Sequence, residues 1–252
     1  MVDAKASVLE LTVGTHDFTI KQSPGILQSD REGGTTGAAV WRLSPLLASW
    51  ISSSDNLLFK NEFLDQSSSV LELGSGIAGL VPVMLCSKVW RYVATDQKYA
   101  LKLLQENISQ NLKIVSGSHG KRKAQKDAHR VTTPEVIALD WESDDIKLFL
   151  DMNQMNNGVD LVFASDCVYN YALIEPFVQT CVEVCRKRSP YDKATICLVA
   201  QQLRQPDVME EFLSVFLRDF DTYRLSDEEI DAQLRPASGF AIHVGVLHRS
   251  AN

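Results

Sequence analysis

A glycine-rich loop is the first feature of this sequence that could do chemistry. Residues 74–79 read GSGIAG, which has the spacing G-x-G-x-x-G, and they lie between a short apolar run and a helix-like segment. Glycines let the backbone turn sharply and approach a ligand closely, and the start of a helix favours polar or negative groups. The loop therefore predicts a binding site for a small ligand at the end of a strand.

Two acidic residues extend this predicted site. Asp96 lies 22 residues after Gly74, at the end of the next predicted strand, where a carboxylate can accept hydrogen bonds from both hydroxyls of a ribose. The loop and Asp96 together indicate an adenosine-containing cofactor, and they leave S-adenosylmethionine and a nicotinamide dinucleotide both open. Glu72 favours S-adenosylmethionine, because a carboxylate at that position attracts the ammonium group of a methionine moiety and repels a pyrophosphate.

Two further pairs of residues follow later strands. Asp140 and Trp141 end the third predicted strand, where an aspartate can hydrogen-bond an adenine amino group and an indole can stack on the ring. Asp166 and Tyr169 follow the fourth strand directly. Because ligands of an open α/β sheet bind outside the carboxyl ends of its strands, topology places Asp166 and Tyr169 at the reaction centre.

These motifs need a sheet that brings strand ends together, and the chain has the pattern of one. Strands are predicted at 70–74, 92–96, 135–140, 159–165, 194–201 and 240–248. Helices are predicted at 38–51, 77–87, 100–112, 171–187 and 208–220. Strands that alternate with helices favour a mostly parallel sheet with helices on both faces. We also expect an antiparallel pair at the C-terminal edge and a small β-hairpin within residues 7–20.

Composition excludes several classes of protein. The chain has 252 residues, a formal net charge of −7 and 45% apolar residues, which excludes a disordered tail protein. The acidic balance argues against a general nucleic-acid binder. No apolar run reaches the roughly 18 residues that span a bilayer, and residues 1–13 lack the apolar core of a signal peptide. The five cysteines have no CxxC spacing and no histidine cluster, so we expect buried thiols, no metal site and a reducing compartment.

Four segments carry a resemblance to a known family. VLELGSGIAGL, VATDQ, LDW and ASDCVY, in that order, resemble the seven-β-strand protein lysine methyltransferases that modify non-histone proteins. A G-x-x-VW segment at 37–41 is also similar, and the resemblance covers residues 37–248. Within the family, the chain is most similar to the fungal ribosomal protein lysine methyltransferase 5 type, which acts on a large-subunit ribosomal protein. The resemblance implies S-adenosylmethionine as cofactor, S-adenosylhomocysteine as product and a protein lysine as acceptor.

The resemblance also implies a fold, a division of the chain and a set of site residues. It implies a Rossmann-like seven-stranded methyltransferase domain over residues 37–252, with a hairpin and loop at residues 1–36 packed on it. It implies that Asp166 and Tyr169, which match the family's D-x-x-Y motif, line the lysine channel as catalytic residues. The implied cofactor-binding residues are Trp41, Glu72, Gly74, Ser75, Gly76, Asp96, Asp140, Trp141 and Ala164.

Several alternatives stay open at this point. A protein histidine or a small molecule could replace lysine as acceptor, and the chain could bind S-adenosylmethionine without turnover. A dinucleotide oxidoreductase is disfavoured, because the residues after 202 are too few to form a substrate domain. The basic segment at 118–130 fits either a solvated insertion or a contact with substrate or RNA. We expect a monomer in the cytoplasm or nucleus that requires neither a membrane nor a nucleic acid.

Overall fold

The fold is given by a computed structural model that describes residues 1–27, 35–117, 132–189 and 191–248. The basic segment at 118–130 lies outside the described residues, and so does part of the predicted loop at 21–36. None of the described helices is long and apolar enough to cross a membrane.

The described part of the chain contains nine strands and eight α-helices. The strands are β1 (Val8–Val13), β2 (His16–Lys21), β3 (Ser69–Leu73), β4 (Arg91–Asp96), β5 (Glu135–Ala138), β6 (Leu161–Ser165), β7 (Ile196–Gln202), β8 (Phe220–Arg224) and β9 (Phe240–Leu247). The helices are α1 (Pro24–Leu27), α2 (Leu43–Ser52), α3 (Leu57–Lys60), α4 (Leu80–Leu85), α5 (Lys98–Gly117), α6 (Ile146–Met152), α7 (Tyr171–Arg186) and α8 (Pro206–Phe216).

Seven of the strands form one sheet in the order β5-β4-β3-β6-β7-β9-β8. Strands β3 to β7 run parallel, whereas β9 is antiparallel to both β7 and β8. This arrangement confirms the predicted Rossmann-like sheet with an antiparallel C-terminal edge. The strand order reverses between β3 and β6, which lie side by side at the centre, and ligands of such sheets bind at this reversal point.

Side chains alternate between the two faces of the sheet, and each face has its own apolar core. On β6, Phe163 joins the core that α2, α4 and α5 cover, whereas Val162 and Ala164 join the core that α6, α7 and α8 cover. A parallel strand that is buried on both faces is apolar along most of its length. This explains why the inner strands read as mostly apolar runs and were located correctly from the sequence.

The expected hairpin is present and forms a separate two-stranded sheet from β1 and β2. It packs against α5, where two buried asparagines, Asn107 and Asn111, hydrogen-bond to the backbone of β2. The buried side chain of Gln22, just after β2, accepts a hydrogen bond from the backbone N–H of Val40 at 2.7 Å. The hairpin is thus tied both to α5 and to the segment that precedes α2.

The edge strand β8 was not located from the sequence. The helix predicted at 208–220 ends at Phe216, and Phe220 begins β8. Phe220 is the one fully buried residue of this strand, because β8 lies at the edge of the sheet. A short and mostly polar edge strand lacks the apolar pattern that reveals the inner strands.

Helix starts also differ from the sequence-based prediction. The helix predicted at 38–51 begins at Leu43, and the one predicted at 77–87 begins at Leu80. Gly79, directly before α4, has a left-handed backbone with φ of 64°, so the glycine loop continues through residue 79 before helical geometry begins. Helix α6 was not predicted; it begins after Asp145, whose side chain caps it by accepting a hydrogen bond from the N–H of Leu148 at 2.9 Å.

Candidate active site

An open cavity lies at the carboxyl ends of the central parallel strands. All residues predicted for the site except Ala164 line it; they are Trp41, Glu72, Gly74, Ser75, Gly76, Asp96, Asp140, Trp141, Asp166 and Tyr169. Ala164 instead faces the core on the α7 side, because side chains alternate along β6. The next residue, Ser165, lines the cavity in its place.

The glycine loop approaches its neighbours so closely that side chains would not fit. Gly74 has φ of 66°, and a Cβ atom on it would lie 2.7 Å from Sγ of Cys167 and 3.2 Å from the ring of Trp141. Gly76 has φ of 62°, and its Cβ would lie 3.3 Å from the carbonyl oxygen of Gly37. The two glycines therefore keep the floor of the cavity free of side chains.

Asp96, the last residue of β4, is buried beside the glycine loop. Its Oδ2 accepts a hydrogen bond from the N–H of Gly76 at 2.7 Å, and its Oδ1 accepts one from the N–H of Gln97 at 2.7 Å. Burial raises the pKa of Asp96 to about 6, although both hydrogen bonds favour the ionised form. Because each carboxylate oxygen has two lone-pair sites, Asp96 can still accept hydrogen bonds from a ligand.

Glu72 lies near the end of β3 and is 3% exposed. Its Oε2 accepts hydrogen bonds from the hydroxyl groups of Ser75 at 2.8 Å and Tyr92 at 3.0 Å. Burial, with a smaller contribution from the charge of Asp96, raises the pKa of Glu72 to about 7. The carboxyl group therefore titrates near neutral pH, and a cationic ligand group beside it would favour its ionised form.

Trp141 forms a wall of the cavity in the loop after β5. Its ring lies 5.2 Å from that of Phe177, between ring centroids. The preceding residue, Asp140, accepts a hydrogen bond from Nε2 of Gln97 at 3.3 Å. The loop after β5 is thus held against α7 on one side and against the end of β4 on the other.

Asp166 follows β6 in a left-handed backbone conformation, with φ of 57°, which is uncommon for a residue other than glycine and points to a functional constraint. Its Oδ1 lies 2.6 Å from Nη2 of Arg204 and accepts hydrogen bonds from the Gln201 amide and the Gln202 N–H, both at 3.2 Å. Its Oδ2 is buried and has no hydrogen-bond partner among the described residues. Burial raises the pKa of Asp166, and the guanidinium of Arg204 opposes this rise.

Trp41 and Tyr169 are both hydrogen-bonded to Thr36. Nε1 of Trp41 donates to the carbonyl oxygen of Thr36 at 2.9 Å, and the hydroxyl of Tyr169 is hydrogen-bonded to the Thr36 side chain. The guanidinium carbon of Arg204 lies 4.6 Å from the ring centroid of Trp41, within the range of a cation–π interaction. These contacts connect the segment before α2 with the residues that follow β6 and β7.

The sequence analysis did not single out Thr36, Gln97, Cys167 or Arg204. Arg204 lies two residues beyond β7, at the same carboxyl edge of the sheet as Asp166. The rule that ligands bind outside the carboxyl ends of the strands could therefore have identified it. Thr36 directly precedes the G-x-x-VW segment. Its role depends on a long-range hydrogen bond to Tyr169, and local sequence gives no signal for that.

The fold and the cavity define a class of protein. A glycine loop after β3, an acid at the end of β4 and an Asp-x-x-Tyr segment after β6 surround one cavity at the reversal point of a seven-stranded sheet. This is the arrangement of the Rossmann-like S-adenosylmethionine-dependent methyltransferases. Residues 20–218 match the model of a family described as lysine methyltransferase. The chain belongs to this lysine methyltransferase family.

Individual relatives agree with the family. The chain is 31% identical to ribosomal lysine N-methyltransferase 5 of Zygosaccharomyces rouxii, over 82% of this chain and 72% of that protein. It is also 31% identical to a Schizosaccharomyces pombe protein named diaminohydroxyphosphoribosylamino-pyrimidine deaminase, over 92% of this chain, but it spans only 49% of that protein's length. A solved structure of a candidate S-adenosylmethionine-dependent methyltransferase from Streptococcus mutans aligns with a TM-score of 0.51 at 10% identity, over 96% of this chain and 56% of the other; this likeness concerns the fold alone.

The residues that line the cavity fit S-adenosylmethionine, the cofactor of this class. The floor at Gly74 and Gly76 leaves no room for side chains, as a closely approaching ligand requires. Asp96 has spare acceptor sites for ribose hydroxyls, and Glu72 offers a carboxyl to an ammonium group. Ser165 Oγ and Asp166 Oδ2 are buried polar atoms without a partner among the described residues, and such atoms usually have one once every ligand and water is counted.

Proposed function

We propose that the chain is a protein-lysine N-methyltransferase that uses S-adenosylmethionine and modifies a non-histone protein. We also propose a large-subunit ribosomal protein as its substrate. The observation that carries the proposal is the position of Asp166 Oδ2, which is buried, has no hydrogen-bond partner within the described parts of the chain and belongs to a residue that lines the same cavity as the glycine loop and Asp96. The relatives named ribosomal lysine N-methyltransferase 5 support the substrate class.

In this proposal each wall of the cavity holds one part of the cofactor. The methionine and ribose part lies against Gly74, Ser75 and Gly76, with its ribose on Asp96 and its ammonium group on Glu72. The adenine lies beside the indole of Trp141, with Asp140 next to it. Trp41 closes the cavity near the methionine end, and Ser165 takes the position that the sequence analysis gave to Ala164. Bound there, S-adenosylmethionine supplies a methyl group on a positively charged sulfur.

The residues of the chain must then present a neutral lysine amine in line with that methyl group. A free lysine has a pKa near 10.4, so the neutral form at pH 7 costs about 4–5 kcal/mol. A water-poor cavity disfavours the ammonium form and reduces this cost. Asp166 Oδ2 can accept a hydrogen bond from the amine and orient it, and Tyr169 supplies an aromatic wall. Holding two reactants close and aligned accounts for much of the rate gain of such enzymes.

The proposal is tested by incubating the protein with radiolabelled S-adenosylmethionine and large ribosomal subunits from cells that lack the endogenous activity. We expect label in one ribosomal protein, on a lysine identified by mass spectrometry. Asp166→Asn should abolish incorporation and leave binding of S-adenosylhomocysteine intact. Asp151→Asn is the matched control, because Asp151 is exposed and pairs with Lys187, the residue after α7, and neither of them lines the cavity.

Other outcomes would overturn particular parts of the proposal. Label on a histidine would replace the acceptor, and label in a non-ribosomal protein would replace the substrate class. Cofactor binding without incorporation into any fraction of a whole lysate would favour a non-catalytic binding protein. A ribosomal substrate would place the enzyme in the cytoplasm or nucleus, where ribosomal proteins are made and assembled. We propose that it acts as a monomer there, which light scattering would test.

A further inference from the structure

The two carboxylate oxygens of Asp166 have unequal surroundings. Oδ1 is fully engaged by the Arg204 guanidinium, the Gln201 amide and the Gln202 N–H. Oδ2 is buried and has no partner among the described residues. The side chain of Asp166 is only 2% exposed, so bulk water does not give the two oxygens the same hydrogen-bonding surroundings. The ion pair therefore fixes which oxygen is available to a ligand.

Arg204 is itself held on two sides. Its Nη2 lies 2.6 Å from Asp166 Oδ1, and its guanidinium carbon lies 4.6 Å from the ring centroid of Trp41. Arg204 does not line the cavity of the glycine loop; with Tyr169 and Met209 it lines a neighbouring cavity. Its side chain is 30% exposed, so a replacement can be accommodated without opening the core. The guanidinium thus contacts Asp166 from the side that faces away from the cavity of the glycine loop.

We propose that Arg204 is a positioning residue for the methyl acceptor: it holds Oδ1 of the Asp166 carboxylate and leaves Oδ2 as the oxygen that accepts a hydrogen bond from the acceptor amine. This inference rests on the proposed function for the nature of that amine. The part of the inference in which Arg204 fixes the orientation and charge of the Asp166 carboxylate does not depend on any substrate.

The charge of Arg204 has a second consequence. A buried carboxylate without a counter-charge that takes up a proton is no longer a carboxylate acceptor for the amine. If it stays ionised instead, it raises the proton affinity of the neighbouring amine and disfavours the neutral nucleophile. Other groups also face Asp166 or this end of the cavity: the Met1 ammonium, the Tyr169 phenol and the Cys167 thiol, with Glu72 and Asp96 across the cavity. Arg204 is the one among them at ion-pair distance from Asp166 in the described part of the chain.

The first test titrates Asp166 directly in the wild-type protein and in Arg204→Gln, by the carboxyl ¹³C shifts of labelled aspartate, with Asp166→Asn to assign the signal. We expect the pKa of Asp166 to rise by about one unit or more in Arg204→Gln. Arg204→Lys should restore most of the wild-type value, because it restores the charge. Arg218→Gln is the matched control. Arg218 lies just after the end of α8 and pairs with the exposed side chain of Glu175 on α7. An unchanged pKa in Arg204→Gln, or no restoration by lysine, would overturn the inference.

The second test measures the pH profile of methyl transfer to the labelled ribosomal protein. In Arg204→Gln we expect the acidic limb of kcat to move up by about one pH unit, so that kcat at a given pH on that limb falls roughly tenfold while KM stays the same or decreases. A residue with a merely structural role would lower kcat equally at every pH, and that result would contradict the inference. If the wild-type protein labels no substrate, the proposed function fails, while the NMR titration still decides the role of Arg204.

Discussion

The side-chain amide of Asn107 pairs with the backbone of Lys21 as a neighbouring strand would. Its Oδ1 accepts a hydrogen bond from the Lys21 N–H at 2.9 Å, and its Nδ2 donates to the Lys21 carbonyl at 2.9 Å. The same Nδ2 donates to the carbonyl of Ile77 at 2.7 Å, within the glycine loop. One turn further along α5, Asn111 pairs in the same way with the backbone of Thr19. The hairpin is therefore connected to the cofactor cavity through a single buried side chain.

We predict that Asn107→Ala destabilises the protein and weakens cofactor binding together. The substitution leaves the Lys21 N–H and the carbonyls of Lys21 and Ile77 without their partner, and unsatisfied buried groups cost about 1–3 kcal/mol each. Solvent reaches part of this site, so we expect a loss of about 2–4 kcal/mol in urea unfolding. Calorimetry should show weaker binding of S-adenosylhomocysteine. Gln105→Ala, on the exposed face of α5, should change neither quantity. If both variants behave alike, the hydrogen bonds of Asn107 to Lys21 and Ile77 are not the cause of the change in stability or affinity.

Much of the fold could be predicted because its signals are local. The apolar runs of β3, β4, β6 and β7 and the glycine loop are contiguous in sequence, and topology then brings their ends together. The edge strand β8 escaped prediction because only Phe220 of its residues is fully buried.

The rest of the site depends on contacts between distant parts of the chain. Arg204 reaches Asp166 only because β7 pairs with β6. Asn107 reaches the backbone of Lys21 only because α5 packs on the hairpin. The family resemblance implied Ala164 as a cofactor-binding residue, whereas the alternation of side chains along β6 turns Ala164 to the core and Ser165 to the cavity. Such facts follow from register, which a single sequence does not reveal.

We predict that Asp96→Ala weakens binding of S-adenosylhomocysteine at least tenfold, a loss of about 1.4 kcal/mol or more. The substitution removes the acceptor for ribose hydroxyls and also the partner of the Gly76 N–H. Isothermal calorimetry measures the affinity, and Asp55→Ala, at an exposed turn, is the control. An unchanged affinity would remove Asp96 from the ribose site. Because burial raises the pKa of Asp96 to about 6, wild-type affinity should also fall as the pH drops below 6.

We predict that Glu72 makes the wild-type protein less stable as the pH rises. The pKa of Glu72 is raised from 4.5 to about 7 in the folded protein, so the folded state holds a proton that the unfolded state has lost. The favourable contribution is complete below pH 4.5 and is lost as the pH rises through 7. Between pH 6 and 8 the free energy of unfolding should fall by about 1.3 kcal/mol from this group. Glu72→Gln should remove that part of the pH dependence, and an equal slope in both proteins would contradict the pKa of Glu72.

We predict that binding of S-adenosylhomocysteine near pH 7 releases a proton from Glu72. In the ligand-free protein roughly half of the molecules carry a protonated Glu72 at this pH, since its pKa is about 7. The ammonium group of the ligand stabilises the carboxylate, so the proton leaves on binding. Calorimetry in buffers of different ionisation enthalpy should therefore give a release of about half a proton at pH 7.

The pH dependence of this release separates Glu72 from its neighbour. Asp96, with a pKa of about 6, is mostly ionised already at pH 7 and above, so it contributes little there. The release should fall toward zero near pH 8.5, where Glu72 is ionised before the ligand arrives. Glu72→Gln should bind with no proton release at pH 7 and with lower affinity, because the ammonium group then meets a neutral amide. Release of the same size from Glu72→Gln would assign the proton to another group and would leave Glu72 without its proposed contact to the ligand.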